Sequence, residues 1–337
     1  MGGLHASVQR RIDALLDDAE ASRTIVVAGG HGDADALKRR ASRGQLASPA
    51  KNLYARDAYW SGLDPAERAL HLMRAEASRH PTWRFRSYSA ALVWGLDVPH
   101  ALVDALHIIA DRPPNAPHCR ARRPSSRDDY ALRDGMNVTS FWQTVAECLC
   151  EAPFSYGLAI ADSALHMRGT TNEELLDRLS IADDRAGIAQ ARLIASCADG
   201  RAENGGESRV RAYLIAQGYQ IPELQVEFPN PTDPAHPYRV DFYWGLIGPR
   251  GTIGEFDGMG KYRDPQLLNG RTTIEVLVAE RQRESRLTLL GHPVLRFTYQ
   301  DLLHPIRLSR ALESAGIPRD HVEARRWHDA WDQVKRH

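Results

Sequence analysis

At 337 residues the chain is long enough for two or three domains, and 43% hydrophobic with 26% charged content lets it bury sizeable cores. Its 43 basic and 43 acidic side chains cancel, so whole-molecule charge selects no polyanion and any nucleic-acid footprint must be local. No stretch has the length and apolarity of a membrane span, and the charged N-terminus lacks the apolar core of a secretory signal. The expectation is a cytoplasmic protein with no membrane partner and four reduced cysteines, Cys119, Cys148, Cys150 and Cys197. Cys148-Leu149-Cys150 lacks zinc-knuckle spacing, and a cytosolic chain would not use the sequon Asn137-Val138-Thr139.

Residues 8–20 set Val8, Ile12, Leu15 and Leu16 at helical spacing. The β-branched run TIVVA (24–28) and the turn Gly29-Gly30-His31-Gly32 follow. Asp33 then offers an N-cap for a helix from Ala34 to Arg43, which Gly44 stops. Leu46 and Leu53-Tyr54 flank a Pro-containing turn, which predicts a hairpin. Helix, turn, basic helix and hairpin is the element order of a winged helix-turn-helix, expected over 1–62. Lys38, Arg39, Arg40, Arg43, Lys51 and Arg56 share this stretch with no acid between Lys38 and Arg56, as phosphate neutralisation requires. A solvated basic helix face has the same composition, and the pattern leaves both readings open.

Residues 63–200 are expected to form a mainly helical middle domain. Leu70, Met73 and Ala77 recur at core spacing before Pro81, and VDALHIIA (103–110) reads as a buried strand. RPPNAPHCRARRPSSR (112–127) reads as a Pro-rich basic loop, after which helices resume at WQTVAECLCEA and GLAIADSALHMRG. Thr171 with Glu174 three residues on forms a capping-box pattern. His107, His118 and His166 stand alone, so the bland reading here is a scaffold.

The Gly-rich break GRAENGG (200–206) opens a third section, 201–337, with a different grammar. A helix over 207–217, strands near 223–228, 238–244 and 251–257, a helix over 275–290, a strand over 293–298 and terminal helices predict an α/β core with a central mixed sheet. In YRVDFYW, Asp241 alternates with Val240 and Phe242; in TIGEFD, Ile253, Glu255 and Asp257 share one face. A hairpin turning about Gly248 pairs Asp241 with Glu255, their Cβ atoms ~5 Å apart. Opposed like charges destabilise a sheet, but a divalent cation between them resolves the conflict, because Mg²⁺ takes one or two carboxylates plus waters.

Glu207 precedes Val210 and Leu214 on the apolar stripe of its helix, where a carboxylate is costly unless paired or metal-bound. Glu207, Asp241 and Glu255, with Asp257 and Lys261 nearby, could hold Mg²⁺ or Mn²⁺ and polarise a water toward a phosphodiester. The alternative is a charged hairpin face in which Arg239 pairs with Asp257 and Glu207 is exposed near a helix start. Arg283 and Arg296 could contact phosphate oxygens, or Arg283 could pair with Glu280 or Glu284 on its own helix.

These blocks, GGESRVRAYLIAQG, YRVDFYW, GEFDGMGKY and AERQRESRL with GHPVLRFTYQDL, resemble the PD-(D/E)XK nuclease superfamily on its very-short-patch-repair-like branch, over roughly 203–303. The resemblance implies a restriction-endonuclease-like α/β fold, an α+β chain overall, and a DNA endonuclease, a hydrolase of phosphodiesters. It carries metal ligation onto Asp241 and Glu255, the helix glutamate onto Glu207 and the active-site lysine onto Lys261. Asp257 stands where the superfamily usually has lysine. RRASRGQLASPAKNLYA, RSYSAALVWGL and VTSFWQTVAECLCEAPFSYGLAIADSAL resemble AbiEi-type antitoxin proteins, although Gln143 and Glu147 stand where that family tends to show arginine and aspartate. That likeness implies DNA binding and a toxin or defence-system partner, and leaves a second reading: a non-catalytic DNA-binding regulator with a degenerate nuclease fold.

Overall fold

A computed structural model describes residues 2–114, 116–180, 185–230, 233–245, 251–258 and 291–335. The chain is an α+β protein whose compact units are 1–148 and 149–337, dividing inside a helix. Among the described residues, no helix is long and apolar enough to cross a membrane.

In the first unit, α1 (Gly2–Ala21) and α2 (His31–Ser42) flank a sheet of β1 (Val26–Val27), β2 (Leu46–Ala50) and β3 (Leu53–Arg56) in the order β1-β3-β2. Ile12, Leu16, Leu37, Leu46 and Tyr54 form its core, with Val8 packed against them, while Leu15 lies off the buried stripe and is exposed. Two details differ from the sequence expectation. Helix α2 begins at His31 with Gly30 as its N-cap, and Asp33 instead binds Arg11 of α1. The hairpin turn is Lys51-Asn52, with Asn52 at φ +64°.

The following section is less helical than its sequence suggests. Short strands β4 (Arg84–Phe85), β5 (Leu106–Ile109), β6 (Cys119–Arg122), β7 (Tyr130–Arg133) and β8 (Met136–Thr139) form a mixed sheet in the order β6-β5-β4-β8-β7. β6 lies inside the Pro-rich stretch read as a loop, and pairs in parallel with β5, Leu106 opposite Cys119. Phe85, Ile108 and Val138 are fully buried against Met73 of α4 (Pro65–Arg79), which lies in the chain between the short α3 (Asp57–Gly62) and α5 (Ser87–Trp94), so tertiary burial overrides the loop-like composition. Glu147 on α6 (Phe141–Glu151) is buried and satisfied: its carboxylate accepts from Arg86 Nε at 3.2 Å, Arg122 at 2.9 Å, Gln143 at 3.1 Å and the Ser87 N–H at 3.0 Å. The two residues that depart from the antitoxin pattern, Gln143 and Glu147, thus belong to one internal polar network.

The second unit contains α7 (Phe154–Arg168), α8 (Asn172–Ser180), α9 (Ile188–Ser196) and α10 (Gly205–Gln217), then β9 (Glu223–Phe228), β10 (Tyr238–Trp244), β11 (Thr252–Asp257) and β12 (Val294–Thr298). Helices α11 (Tyr299–Leu303), α12 (Pro305–Ser314) and α13 (His321–Lys335) close it. Thr171 accepts from the Glu174 N–H at 3.4 Å at the start of α8. The sheet order is β12-β11-β10-β9: β9, β10 and β11 run as an antiparallel meander, and β12 joins β11 in parallel. A parallel neighbour requires a crossover connection; it comprises residues 258–293. The helix expected over 275–290, Lys261 and Arg283 lie outside the described residues. Phe242, Trp244, Phe256 and Phe297 form the core beneath α10, with Val210 and Leu214.

Candidate acidic site

The observed ladder pairs Phe242 with Gly254, Tyr243 with Ile253 and Trp244 with Thr252. Carried one step further, this register would set Asp241 opposite Glu255, the pairing that a turn about Gly248 predicts, but the ladder ends at Phe242 and Gly254. On the other side, Val240 pairs with Val226 and Phe242 with Leu224, which sets Asp241 across from Gln225. Glu255 pairs with Arg296 in the parallel ladder. Gln225 and Asp241 lie at a break in the ladders, between the Val240–Val226 and Phe242–Leu224 pairs, and stand at one level of the sheet with the paired Glu255 and Arg296, a polar row beside the aromatic core. The Asp241 carboxylate accepts from the backbone N–H of Phe256 at 2.7 Å, replacing a ladder bond where β10 and β11 part.

Glu207 enters this row from the first turn of α10. Asn204 caps the helix, its side-chain oxygen accepting from the N–H groups of Gly206 at 2.9 Å and Glu207 at 3.0 Å. Gly206 allows the close approach: a Cβ there would lie 1.9 Å from Cε1 of Phe256. Glu207 is only 2% exposed, which overturns the alternative of an exposed glutamate. Its carboxylate accepts from the Glu203 N–H at 2.9 Å, from Gln225 Nε2 at 3.1 Å and from the Asn204 amide. Burial pushes the Glu207 carboxyl up to about 8, and the neighbouring negative charge of Asp241 adds to the rise. Folding therefore retains a proton on Glu207 that the unfolded chain releases near 4.5. The stability contributed by this group is full below pH 4.5 and declines as pH rises toward 8. Urea denaturation in EDTA at pH 5, 7 and 9 should show that decline, and Glu207→Gln should flatten it; identical pH profiles would contradict the assignment.

The remaining predicted residues divide. Asp257 pairs with Arg296 at 2.8 Å rather than with Arg239, which pairs with Glu203 at 2.8 Å. Arg296 is thus engaged by a carboxylate and is not a spare phosphate-binding cation. The difference follows from the parallel β11–β12 ladder, which puts Arg296 beside Glu255 and within reach of Asp257 along the same face. Gln225 escapes sequence reasoning; its one local signal, a left-handed φ of +56° in a strand, is visible only in the backbone. Among the described residues, no three His, Cys, Asp or Glu side chains converge as a ready metal cage. The donor set still fits Mg²⁺ or Mn²⁺, hard cations served by one or two carboxylates and waters. Asp241 and Glu255 supply such oxygens, and buried Glu207 beside Asp241 is a negative group in need of a proton or a cation.

In the first unit, Lys38, Arg39, Arg43 and Lys51 are exposed and form no ion pair among the described residues. Arg40 differs, bound to Asp13 of α1 at 2.6 Å. Arg56 binds Asp17 at 2.7 Å and Glu20 at 2.9 Å. The acidic face of α1 thus neutralises part of a run that contains no acid of its own.

No family model matches the chain. Over 87 residues, 26% of its length, the chain is 37% identical to two Mycobacterium tuberculosis proteins, "Uncharacterized protein MT2308" of strain CDC 1551 and "Uncharacterized protein Rv2248" of strain H37Rv. The match spans 31% of the length of each of these relatives.

Proposed function

We propose that the second unit is a metal-dependent DNA endonuclease of the PD-(D/E)XK type. The observation that carries this reading is Glu207, buried at the head of α10 beside Asp241, which follows one residue beyond the last β10–β11 pair, Phe242 with Gly254. The helix–strand–strand–strand–crossover–strand order supports it. Asp241 and Glu255 would hold Mg²⁺ or Mn²⁺, with Glu207 behind them and Lys261 supplying the active-site lysine. Bound there, the cation would lower the pKa of a water and offset charge at phosphorus. The chain's own part is positional: Asn204 and Gln225 orient Glu207, and the Phe256 N–H fixes Asp241. Such a protein acts in the cytoplasm. Supercoiled plasmid with Mg²⁺ or Mn²⁺ tests the reading: nicking by the native protein that is lost in Asp241→Ala supports it, and equal nicking by both sinks it.

The ion pair of Asp257 with Arg296, in the place where the superfamily usually has lysine, favours a second reading: a non-catalytic DNA-binding regulator with a toxin or defence-system partner. In both readings the exposed cations of α2 and the hairpin contact DNA phosphates. Replacing Lys38, Arg39 and Arg43 together with Gln should weaken duplex binding and lower the slope of log affinity against log salt by about 0.9 per lost contact. An unchanged slope removes the winged-helix assignment. Under the regulator reading, promoter binding survives Asp241→Ala and plasmid nicking is absent throughout.

A further inference from the structure

Arg209, two residues beyond Glu207 on α10, is the cation on this helix that the acidic site does not use. Its guanidinium carbon lies 5.3 Å from the ring centroid of Tyr156 at the start of α7 and 5.7 Å from that of Tyr299 at the start of α11. Among the described residues it forms no ion pair and no hydrogen bond, and its buried Nε has no partner. On the same helix Arg211 shows the contrasting case, its guanidinium matched by buried Asp162. A half-buried arginine in cation–π contact with two tyrosines is fixed in direction while no described carboxylate compensates its charge.

The surroundings place this clamp next to the site. Tyr299 packs edge-on against Phe256 at 5.0 Å between centroids, and the Phe256 N–H is the group that holds Asp241. Tyr299 also follows directly on β12, so the clamp sits at the ends of β11 and β12, where Asp257 and Arg296 pair. Tyr299 is 41% exposed, beside a cation that forms no ion pair among the described residues. Guanidinium groups are suited to phosphate oxygens, and exposed aromatic rings beside arginine hold unstacked bases.

We infer that Arg209, steadied by Tyr156 and Tyr299, is a phosphate contact for a nucleic-acid strand, with Tyr299 as a stacking surface for an adjacent base. The inference rests on the nuclease reading and adds a strand-holding role for residues outside the acidic row. It also implies a preference for locally unpaired DNA, because a base must leave its stack to reach Tyr299.

The test measures binding of a short fluorescein-labelled single strand by fluorescence anisotropy in EDTA, at several salt concentrations, with no cleavage involved. Arg209→Gln should lower affinity and reduce the salt slope by about 0.7, the value for one lost contact to a single strand. Tyr299→Leu should weaken binding by roughly 5- to 150-fold, the range for losing one stacked base, with the slope unchanged. Arg209→Lys, which keeps the charge, should retain most of the slope and serves as the folding control alongside thermal unfolding of each variant. If Arg209→Gln folds and keeps the native affinity and slope, the clamp is structural and the inference is overturned. That result leaves the nuclease reading intact wherever Asp241→Ala still abolishes nicking. If the native protein nicks no plasmid yet loses strand binding on Arg209→Gln, the catalytic reading fails and the strand contact stands.

Discussion

Asp241→Ala is expected to reduce Mg²⁺- or Mn²⁺-dependent nicking by on the order of 10²–10³-fold, the scale of removing one electrostatic contact to a transition state. Three features of the position lead there. Asp241 lies one residue beyond the last β10–β11 pair, its charge acts on buried Glu207, and its own carboxylate is held by the Phe256 N–H at 2.7 Å. Glu255→Gln should cause a loss of similar size, and the double substitution should be little worse than either single one, because groups that serve one cation act as a unit. Calorimetry gives an independent reading: native protein should bind Mn²⁺, and Asp241→Ala and Glu255→Gln should each weaken that binding. Binding in the wild type should also release a proton, because Glu207 must ionise to face a cation. Calorimetric enthalpies that do not vary between buffers of different ionisation heat would count against that coupling.

Asp162→Ala is expected to destabilise the second unit by about 3–5 kcal/mol, the cost of stranding one member of a buried ion pair. Asp162 on α7 is fully buried; it accepts from the Asp199 N–H at 2.7 Å and from the guanidinium of Arg211 on α10. Arg211 is 4% exposed and also donates to the Cys197 carbonyl at 2.8 Å. Burial pushes the Asp162 carboxyl up to about 6 against the pull of Arg211, so desolvation outweighs attraction in this pair. The pair is therefore costly to break and replaceable as a whole: Asp162→Leu with Arg211→Met should recover most of the lost stability. Denaturant titration followed by tryptophan fluorescence reports both, since Trp244 and Trp327 lie in this unit. A loss below about 1 kcal/mol for Asp162→Ala would mean that water reaches Arg211 and that the pair does not anchor α10. Because Glu207 is one turn from Arg211 on the same helix, Asp162→Ala should also lower any nicking activity without touching the acidic row.

Much of the second unit was legible in the chain itself. Alternation in YRVDFYW and TIGEFD specifies strands, and the apolar stripe of Val210 and Leu214 specifies the helix that precedes them. Counting from Gly248 is enough to set the register that pairs Phe242 with Gly254, because side-chain period and turn length together fix a hairpin register. The same local rules place α2 and the β2–β3 hairpin. They fail where a strand is short and its neighbour is distant in sequence: β6 reads as a loop until parallel pairing with β5 buries it, and β4 has only two residues. They also fail for charge partners. Asp33 looks like a cap but binds Arg11, and Arg40 looks like a phosphate contact but binds Asp13. Asp257 and Arg296 look like site residues but neutralise one another. A carboxylate's partner depends on which element packs beside it, and sequence spacing fixes only neighbours within one element. Sequence alone thus determined the strands of the second unit's sheet, the helix that precedes them and the identity of the acids they carry. Tertiary packing decided which charges remain unmatched, because burial and inter-element distance set the cost of leaving a charge without a partner.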